Sequence, residues 1–206
     1  MRIGIFGGSF DPIHYGHLLL AESCREQRQL DRVWFLPAAV PPHKRRAARA
    51  PDTHRANMIE LALAEQPAFE LSLLELKRGG LSYTADTLRE IAREQPEAEL
   101  FLLLGGDSLV DLPTWREPEE ICRLAIPVVV SRPGAPPPDF SPLVGLVSDE
   151  RLTQIEQSQV EMPLIELSST DIRRRVAAGQ SIRYRTLPSV MRYIEQLGLY
   201  RDAAEA

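Results

Sequence analysis

With 206 residues, of which 44% are hydrophobic and 26% charged, the chain has the composition of an average globular protein with one sizeable core. Its formal net charge of −5 excludes attraction of the whole surface to nucleic acid or to an anionic membrane, so an anionic ligand needs a locally basic pocket. The two cysteines lack metal-ligand spacing, and no signal-peptide pattern is present. No apolar run approaches the roughly 20 residues of a membrane span. These features favour a cytoplasmic protein.

The first half of the chain alternates predicted strands with predicted helices. Apolar runs bounded by turn residues predict strands at residues 2–6, 33–36 and 69–76. Apolar residues at helical spacing predict helices at residues 15–30, after a Thr53 N-cap, and from Thr84 onward. A basic, proline-rich loop at residues 38–52 separates the second strand from its helix.

The second half continues this alternation. Its pattern predicts strands at residues 100–104, 126–130 and 162–167, and helices at residues 117–124, 169–178 and 188–197. The run at residues 100–104 is apolar throughout, which is typical of a central strand buried on both faces. The fold class is therefore predicted as α/β with a doubly wound parallel sheet. One domain is expected over residues 1–206, with a helical C-terminal part from about residue 168.

Unusual residues follow four of the predicted strands. In parallel sheets, ligands bind beyond the carboxyl ends of the strands. The segments at those ends are Gly7-Gly8-Ser9, His43-Lys44, Gly105-Gly106-Asp107 and Ser131-Arg132. The sequence therefore predicts a binding site where these segments meet.

The two glycines after the first strand predict a phosphate site. Gly7 and Gly8 carry no Cβ, so the chain can turn sharply and a ligand can approach the backbone closely. The helix that follows directs free N–H groups and a partial positive charge into this turn, which suits a phosphate. The chain contains neither the G-x-G-x-x-G fingerprint nor the G-x-x-x-x-G-K-S/T loop, so the site is of another kind.

A pair of histidines opens the first helix. His14 and His17 lie three residues apart and therefore on one helix face, where each offers an N–H donor and, when protonated, a positive charge. A capping or packing pair explains an isolated H-x-x-H equally well, and Asp11 is interpreted as a structural turn residue. A zinc site would need further ligands at suitable spacing, so no metal ligands are predicted.

Two motifs at opposite ends of the chain resemble those of the nucleotidyltransferases that are defined by an H-x-G-H motif. The string GGSFDPIHYGH at residues 7–17 is similar to their N-terminal signature, and LSSTDIR at residues 167–173 resembles their I-S-S-T-x-I-R motif. The resemblance implies a Rossmann-like fold and transfer of an adenylyl or cytidylyl group with release of pyrophosphate. A capped helix explains Ser168 or Ser169, but not Arg173, whose charge opposes the helix dipole unless a phosphate is bound.

Residues 1–200 as a whole resemble the bacterial nicotinate mononucleotide adenylyltransferases, which implies adenylyl transfer from ATP to nicotinate mononucleotide in NAD biosynthesis. The resemblance assigns His14 and His17 to catalysis and implies Mg²⁺ carried on the ATP phosphates rather than on protein ligands. The residues that it assigns to ATP are Gly7, Gly8, Ser9, Phe10, Lys44, Gly106, Asp107, Ser169, Thr170 and Arg173. Those that it assigns to nicotinate mononucleotide are Thr84, Trp115, Arg116 and Arg132.

Three of these residues have a clear chemical reason and an equally clear alternative. Trp115 is suited to stack on the nicotinate ring, or else it is a buried anchor. Thr84 and nearby N–H groups are suited to bind the carboxylate, or else Thr84 is an N-cap. Lys44, one of only two lysines, belongs either to a solvated basic loop or to a mobile loop that closes over the triphosphate.

Two other functions fit parts of this pattern. The first is another adenylyltransferase, such as a pantetheine-phosphate adenylyltransferase, against which chain length, Thr84 and Trp115 argue. The second is a non-enzymatic nucleotide-binding regulator, against which the presence of both motif histidines argues. A homo-oligomer is compatible with the sequence, whereas nucleic acid and membrane partners are not expected. The sequence leaves open how strongly nicotinate mononucleotide is preferred over nicotinamide mononucleotide. It also leaves open whether any of four arginines touches substrate, namely Arg45, Arg46, Arg116 and Arg174.

Overall fold

One sheet of parallel strands lies at the centre of the protein. The computed structural model describes residues 1–42, 50–131, 134 and 136–201. The strands are β1 (Arg2–Gly8), β2 (Arg32–Pro37), β3 (Phe69–Leu71), β4 (Glu99–Gly105), β5 (Ile126–Ser131) and β6 (Val160–Glu161). Their order across the sheet is β3-β2-β1-β4-β5-β6, and every neighbouring pair is parallel.

Helices flank this sheet and connect its strands. They are α1 (Tyr15–Gln27), α2 (Asp52–Leu63), α3 (Leu74–Arg78), α4 (Thr84–Glu94), α5 (Gly106–Asp111), α6 (Pro118–Leu124), α7 (Asp149–Glu156), α8 (Ser169–Ala177) and α9 (Pro188–Leu197). Short 3₁₀ turns lie at Leu112–Thr114 and Ser141–Leu143. Over the described ranges, no helix is long and apolar enough to cross a membrane. The predicted doubly wound α/β fold is confirmed.

The order in which strands are added to the sheet reverses at β1. The chain runs from β1 to β2 and β3 on one side, and then returns to β4 on the other side of β1. In the register, Ile5 of β1 lies between Trp34 of β2 and Leu102 of β4. The connections that leave β1 and β4 diverge at this topological switch point, and the crevice between them is where open α/β sheets bind ligands. The fold thus places the glycine-rich end of β1 at the ligand-binding edge.

Two predicted strands are wrong in extent or position. Residues 69–76 were expected to be one strand, but β3 ends at Leu71, which pairs with Phe35 of β2, and residues from Leu74 onward form α3. The strand expected at residues 162–167 is displaced to β6. The Met162 N–H still bonds to the Ser131 carbonyl at 3.1 Å, but Pro163 has no N–H to continue the ladder.

Two helix boundaries differ from prediction, and two further helices were not predicted at all. The first helix ends at Gln27 rather than at residue 30. Thr53 is not the N-cap of α2, because Pro51 adopts an extended conformation and the helix already begins at Asp52. Two short helices were missed: α5 starts directly after β4, and α7 has too few apolar positions to show a clear period.

Candidate active site at the switch point of the sheet

The turn after β1 is built around its second glycine. A Cβ on Gly8 would lie 3.0 Å from the Phe10 ring, so a larger residue would push that ring out of place. Phe10 has a positive φ of 47° and is buried, with ring centroids 5.3 Å from Phe6 and 5.6 Å from Phe35. We call residues 7–11 the glycine turn. Since the Phe10 side chain belongs to the core, only its main chain can face a ligand.

A fully buried arginine holds the glycine turn from the protein interior. Arg55 of α2 is 0% exposed, and its Nη1 donates to the Ser9 carbonyl at 2.8 Å. Its Nη2 donates to the Ala38 carbonyl at 2.7 Å and to the Asp52 carboxylate at 2.5 Å. Both carbonyl oxygens are therefore directed at the guanidinium. Arg55 also adds a buried positive charge beneath a segment that was predicted to receive phosphates.

The two motif histidines stack on each other at the start of α1. Their ring centroids are 3.7 Å apart, with the ring planes at 22°. Nδ1 of His17 accepts the main-chain N–H of His14 at 3.2 Å, which places the His17 proton on Nε2. The buried Nδ1 of His14 has no hydrogen-bond partner within the described part of the chain.

Both imidazoles are held in the neutral form. Burial lowers the pKa of His14 from 6.5 to about 4. Burial also lowers the pKa of His17 well below 6.5, and the neighbouring His14 lowers it further. At pH 7 each ring therefore offers one N–H donor and no charge. The positive charge considered from the sequence would require an anion beside the rings, because a nearby negative charge raises a histidine pKa.

Acidification should destabilise the protein between pH 6.5 and about 4, the ordinary and the lowered pKa of His14. In that window the unfolded chain binds more protons than the folded chain, so the free energy of unfolding falls as pH falls. The loss for His14 amounts to about 3 kcal/mol. Urea unfolding across the window measures it. A His14→Asn, His17→Asn double variant should lose this part of the slope, and equal slopes in the two proteins would contradict the assignment.

The second motif docks beside the first. Ser168 is the N-cap of α8, where its hydroxyl accepts the Asp171 N–H at 3.1 Å, so of the two predicted caps it is Ser168 that serves. The Ser169 hydroxyl donates to the Pro12 carbonyl at 2.8 Å. The Thr186 hydroxyl donates to the Ile13 carbonyl at 2.7 Å. The fold thus brings the start of α8 to the start of α1, although the two lie more than 150 residues apart in sequence.

Asp11 connects the glycine turn to the C-terminal part of the protein. Its buried Oδ1 accepts the Tyr200 hydroxyl at 2.7 Å and the Ala50 N–H at 3.2 Å. Its carbonyl accepts Nη1 of Arg173 at 2.7 Å, and Nη2 of Arg173 donates to the Thr170 hydroxyl at 3.3 Å. Arg173 is thus docked on the turn. A guanidinium carries five N–H donors, so this docking leaves others for a phosphate.

A cavity of ≈ 530 Å³ opens at the carboxyl ends of β1, β2 and β4. We call it the switch-point pocket. Its volume lies within the range of about 300–1,000 Å³ that is usual for small-molecule sites. Six residues that were predicted from the sequence line it, namely Gly7, Gly8, Ser9, Thr84, Trp115 and Arg116. The pocket therefore joins the glycine turn to the residues that were expected to bind an acceptor.

The start of α4 presents main-chain donors at this pocket. Tyr83, with ψ of 127°, is the N-cap, so Thr84 is the first helical residue and its interpretation as the N-cap is wrong. The first intrahelical bond runs from the Thr87 N–H to the Tyr83 carbonyl at 3.1 Å. The three N–H groups of residues 84–86 precede that bond, as at every helix start. Together with the Thr84 hydroxyl, they form a site suited to a carboxylate.

Trp115 combines packing with exposure to the pocket. Its main-chain N–H closes the 3₁₀ turn by donating to the Leu112 carbonyl at 3.0 Å. The indole packs partly against the core and also lines the switch-point pocket, so it anchors the loop and still faces the cavity; its stacking on a nicotinate ring stays a prediction. The neighbouring Arg116 lies over the Tyr83 ring at 4.7 Å and pairs with Asp86 at 3.2 Å. The fold therefore groups an aromatic face, a cation and a helix start around one cavity.

The remaining predicted residues lie elsewhere or outside the described ranges. Gly106 and Asp107 form the exposed first residues of α5, directly beyond β4. Lys44 and Arg132 fall outside the described residues. In the ranges that the structure describes, no three His, Cys, Asp or Glu residues are grouped so that they could hold a metal ion.

Sequence reasoning missed three residues of the site. They are Arg55 under the glycine turn, Tyr200 on Asp11, and Glu75 in the wall of the switch-point pocket. Glu75 carried one usable signal, since it is an acid within an otherwise apolar stretch at residues 73–76. Interpreting that stretch as a strand concealed the signal.

Comparisons with known proteins agree with this geometry. Residues 5–175 match the family model described as cytidylyltransferase-like. A probable nicotinate-nucleotide adenylyltransferase of Thermomicrobium roseum is 48% identical over 97% of this chain and 92% of its own length. One of Thermus thermophilus is 48% identical over 98% of this chain and 100% of its own. The solved nicotinic acid mononucleotide adenylyltransferase of Plasmodium falciparum, complexed with NaAD, superposes with a TM-score of 0.74 at 20% identity over 97% of both chains.

Proposed function

The chain belongs to the nicotinate-nucleotide adenylyltransferases within the cytidylyltransferase-like family, and from that membership we propose which parts of its site bind ATP and which bind the acceptor. The enzyme transfers the adenylyl group of ATP to nicotinate mononucleotide, giving deamido-NAD and pyrophosphate. In our proposal the glycine turn, the histidine pair and the start of α8 hold ATP. The switch-point pocket holds the pyridine ring of the acceptor.

The observation that carries this proposal is the continuity of the two half-sites. Gly7 and Gly8 belong both to the glycine turn and to the wall of the pocket that contains Thr84 and Trp115. An acceptor ring in the pocket would therefore have its phosphate near the turn. Bringing the nucleophile and the reacting phosphorus together in one crevice is the main requirement of a reaction between two anions.

The ATP half-site would work by donors and buried charge. Because Nδ1 of His17 accepts the His14 N–H, the ring proton lies on Nε2. This proton is available to bond an α-phosphate oxygen. The neutral ring of His14, stacked on His17, is a second candidate donor. Arg173 and the buried Arg55 supply positive potential around the turn. These groups would stabilise the charge that develops on the phosphorus oxygens.

The chemistry itself needs little else from the protein. A phosphate oxygen of the acceptor forms a bond to the α-phosphorus of ATP, while the bond from that phosphorus to the bridging oxygen breaks. Pyrophosphate leaves with the electron pair. A phosphate monoester, whose second pKa is about 6, is already largely dianionic at pH 7, so no residue is required as a general base. We therefore assign the histidines to charge stabilisation rather than to proton abstraction.

Magnesium would enter with the substrate. The described residues provide no cluster of acidic or imidazole ligands for it. Mg²⁺ keeps several waters and binds readily to substrate phosphates, so we propose that ATP binds as its magnesium complex. Lys44 and Arg132, which lie outside the described residues, stay predicted ligands of ATP and of the acceptor. Homo-oligomerisation stays a prediction that light scattering would test.

We further infer that the C-terminal helices and the sheet act as one unit. Three hydrogen bonds connect the C-terminal part to the first motif: Ser169 to Pro12, Thr186 to Ile13, and Tyr200 to Asp11. Each one ends on one of the three residues 11–13, at or directly after the end of the glycine turn. The helical part from about residue 168 thus contributes to the site rather than forming a separate module.

Substitutions of Trp115 and Thr84 should separate the two elements of acceptor recognition. Trp115→Ala should weaken nicotinate and nicotinamide mononucleotide equally, by about tenfold, because stacking recognises any flat ring. Thr84→Val should reduce the difference in binding free energy between nicotinate and nicotinamide mononucleotide by about 1–3 kcal/mol. A missing donor weakens the binding of a carboxylate more than that of a neutral amide. Steady-state kinetics with both mononucleotides measures both effects, and the ATP constant should stay unchanged.

Tryptophan fluorescence gives a control without turnover. The chain has two tryptophans, and Trp34 lies on a different cavity, of ≈ 600 Å³, with Glu70 and Lys77. In a Trp34→Phe background, nicotinate mononucleotide should quench the remaining indole. If Trp115→Ala left the kinetic constants for both mononucleotides unchanged, and Trp115 in the Trp34→Phe background were not quenched, Trp115 would have a purely structural role. Turnover of pantetheine phosphate, which has no flat ring, would indicate the alternative function.

A further inference from the structure

A buried carboxylate in the wall of the switch-point pocket takes no part in the mechanism above. Glu75 of α3 is only 7% exposed, and it lines the same pocket as Thr84 and Trp115. A buried carboxylate needs hydrogen-bond donors to offset its lost hydration. In a pocket proposed to bind another carboxylate, such a group calls for an explanation.

Glu75 is the acceptor at the end of a directed hydrogen-bond chain. The Thr87 hydroxyl donates to its Oε1 at 2.7 Å, while Nη2 of Arg78 donates to the same hydroxyl at 2.8 Å. Ser82, whose hydroxyl accepts the Ala39 N–H at 2.9 Å, is a second hydroxyl beside the carboxyl group and lines the same pocket. The Thr87 hydroxyl lies closer to Glu75 than to its other acceptor, the Tyr83 carbonyl, which is 3.2 Å away. Burial raises the pKa of Glu75, and the two hydroxyls and the charges of Arg78 and Arg55 offset part of that effect.

These two hydroxyls lie on either side of the proposed carboxylate site. Ser82 precedes the N-cap of α4, and Thr87 lies one turn into that helix. The residues between them include Thr84 and the first N–H groups of α4. Glu75 is therefore bonded to Thr87 at one end of the segment that presents these donors and lies beside Ser82 at the other, both from inside the pocket wall.

We propose that Glu75 is a positioning residue that fixes the start of α4 and thereby sets the preference of the enzyme for an acceptor ring that bears a carboxylate. The inference rests on the proposed acceptor pocket. A ring carboxylate depends on several donors in fixed positions, whereas a neutral amide depends on them less. Disturbing the network should consequently affect the acid substrate selectively.

The substitution Glu75→Gln disturbs the network without changing its size. An amide offers one oxygen and one NH₂ group in place of two acceptor oxygens. One hydroxyl that already receives an N–H would then meet a second donor, and its own proton would lose its acceptor. The segment should relax around that conflict and move the donors of residues 84–86 away from their places.

The experiment compares three substrates across matched variants. Glu75→Gln should weaken nicotinate mononucleotide by about tenfold and nicotinamide mononucleotide by less than about threefold, with the ATP constant unchanged. Thr87→Val should act in the same direction, and Thr87→Ser, which keeps the hydroxyl, should retain the parent affinity. Glu90→Gln is the matched control, since Glu90 accepts from Arg78 at 3.2 Å but its side chain is 43% exposed. Kinetics and fluorescence quenching in the Trp34→Phe background provide two readouts.

Two results would overturn the proposal. One is a Glu75→Gln enzyme that binds both mononucleotides as the parent does, or that binds the acid more tightly because a negative charge has gone. The other is an equal loss for ATP and both mononucleotides with a lower melting temperature, which would make Glu75 merely structural. A parent enzyme that fails to adenylylate nicotinate mononucleotide would instead refute the proposed function, and with it this inference.

Discussion

Turnover should fall by about 100-fold or more when His17 is replaced by alanine, a loss typical of removing one donor to a developing oxyanion. The reason is geometric. Nδ1 of His17 is occupied by the His14 N–H, so the ring has one proton to offer, on Nε2. Burial keeps this imidazole neutral in the free enzyme, so what it presents to ATP is this one directed N–H. The effect should therefore appear in kcat more than in the ATP constant.

A second variant separates donor chemistry from helix structure. Asparagine at position 17 can still accept the His14 N–H through its side-chain oxygen, so His17→Asn should stay as stable as the parent and lose turnover as His17→Ala does. His54→Ala is the control, because His54 bonds to Tyr193 on the contact between α2 and α9. A folded His17→Asn enzyme with near-normal kcat would remove this histidine from the mechanism.

Replacing Arg55 by methionine should lower the free energy of unfolding by about 3–5 kcal/mol, the range for removing one partner of a buried charged network. The guanidinium is 0% exposed and donates to two carbonyls, those of Ser9 and Ala38. Methionine fills much of the volume but donates to neither. Urea unfolding at neutral pH measures the change, with an unchanged slope as the sign of a simple loss of stability.

An exposed arginine provides the comparison. Arg123 pairs with Glu120 within α6, and its side chain is 68% exposed. Arg123→Met should change stability by no more than about 0.5 kcal/mol. A loss below about 1 kcal/mol in Arg55→Met would mean that apolar packing replaces the buried cation at little cost, as happens in some buried ion pairs. The ATP constant of that variant would then show whether Arg55 serves binding alone.

The parts of the site that follow the chain locally could be predicted from the sequence. Spacing alone placed His14 beside His17, and the glycines at the end of β1 marked the turn. The second motif gave both the start of α8 and its serine cap. These features depend on strand ends and helix periodicity, which are properties of neighbouring residues.

The residues that support the site from a distance could not be predicted in this way. Arg55 is one of twenty-two arginines, and nothing in its own helix distinguishes the buried one from those at the surface. Tyr200 reaches Asp11 only because α9, the helix before it, packs against α2. Glu75 was concealed because strand and helix are ambiguous in short apolar runs, and β3 stopped where its pairing with β2 ended.

The hydrogen bond between Tyr200 and Asp11 also has a consequence for the order of events during synthesis. The partner of Asp11 is made 189 positions after Asp11 itself. Until then the Asp11 carboxylate lacks this donor, and the closure of so long a loop is slow compared with local helix formation. The sheet can form early, but the glycine turn reaches its final state only after the C-terminal helices have been made and have packed.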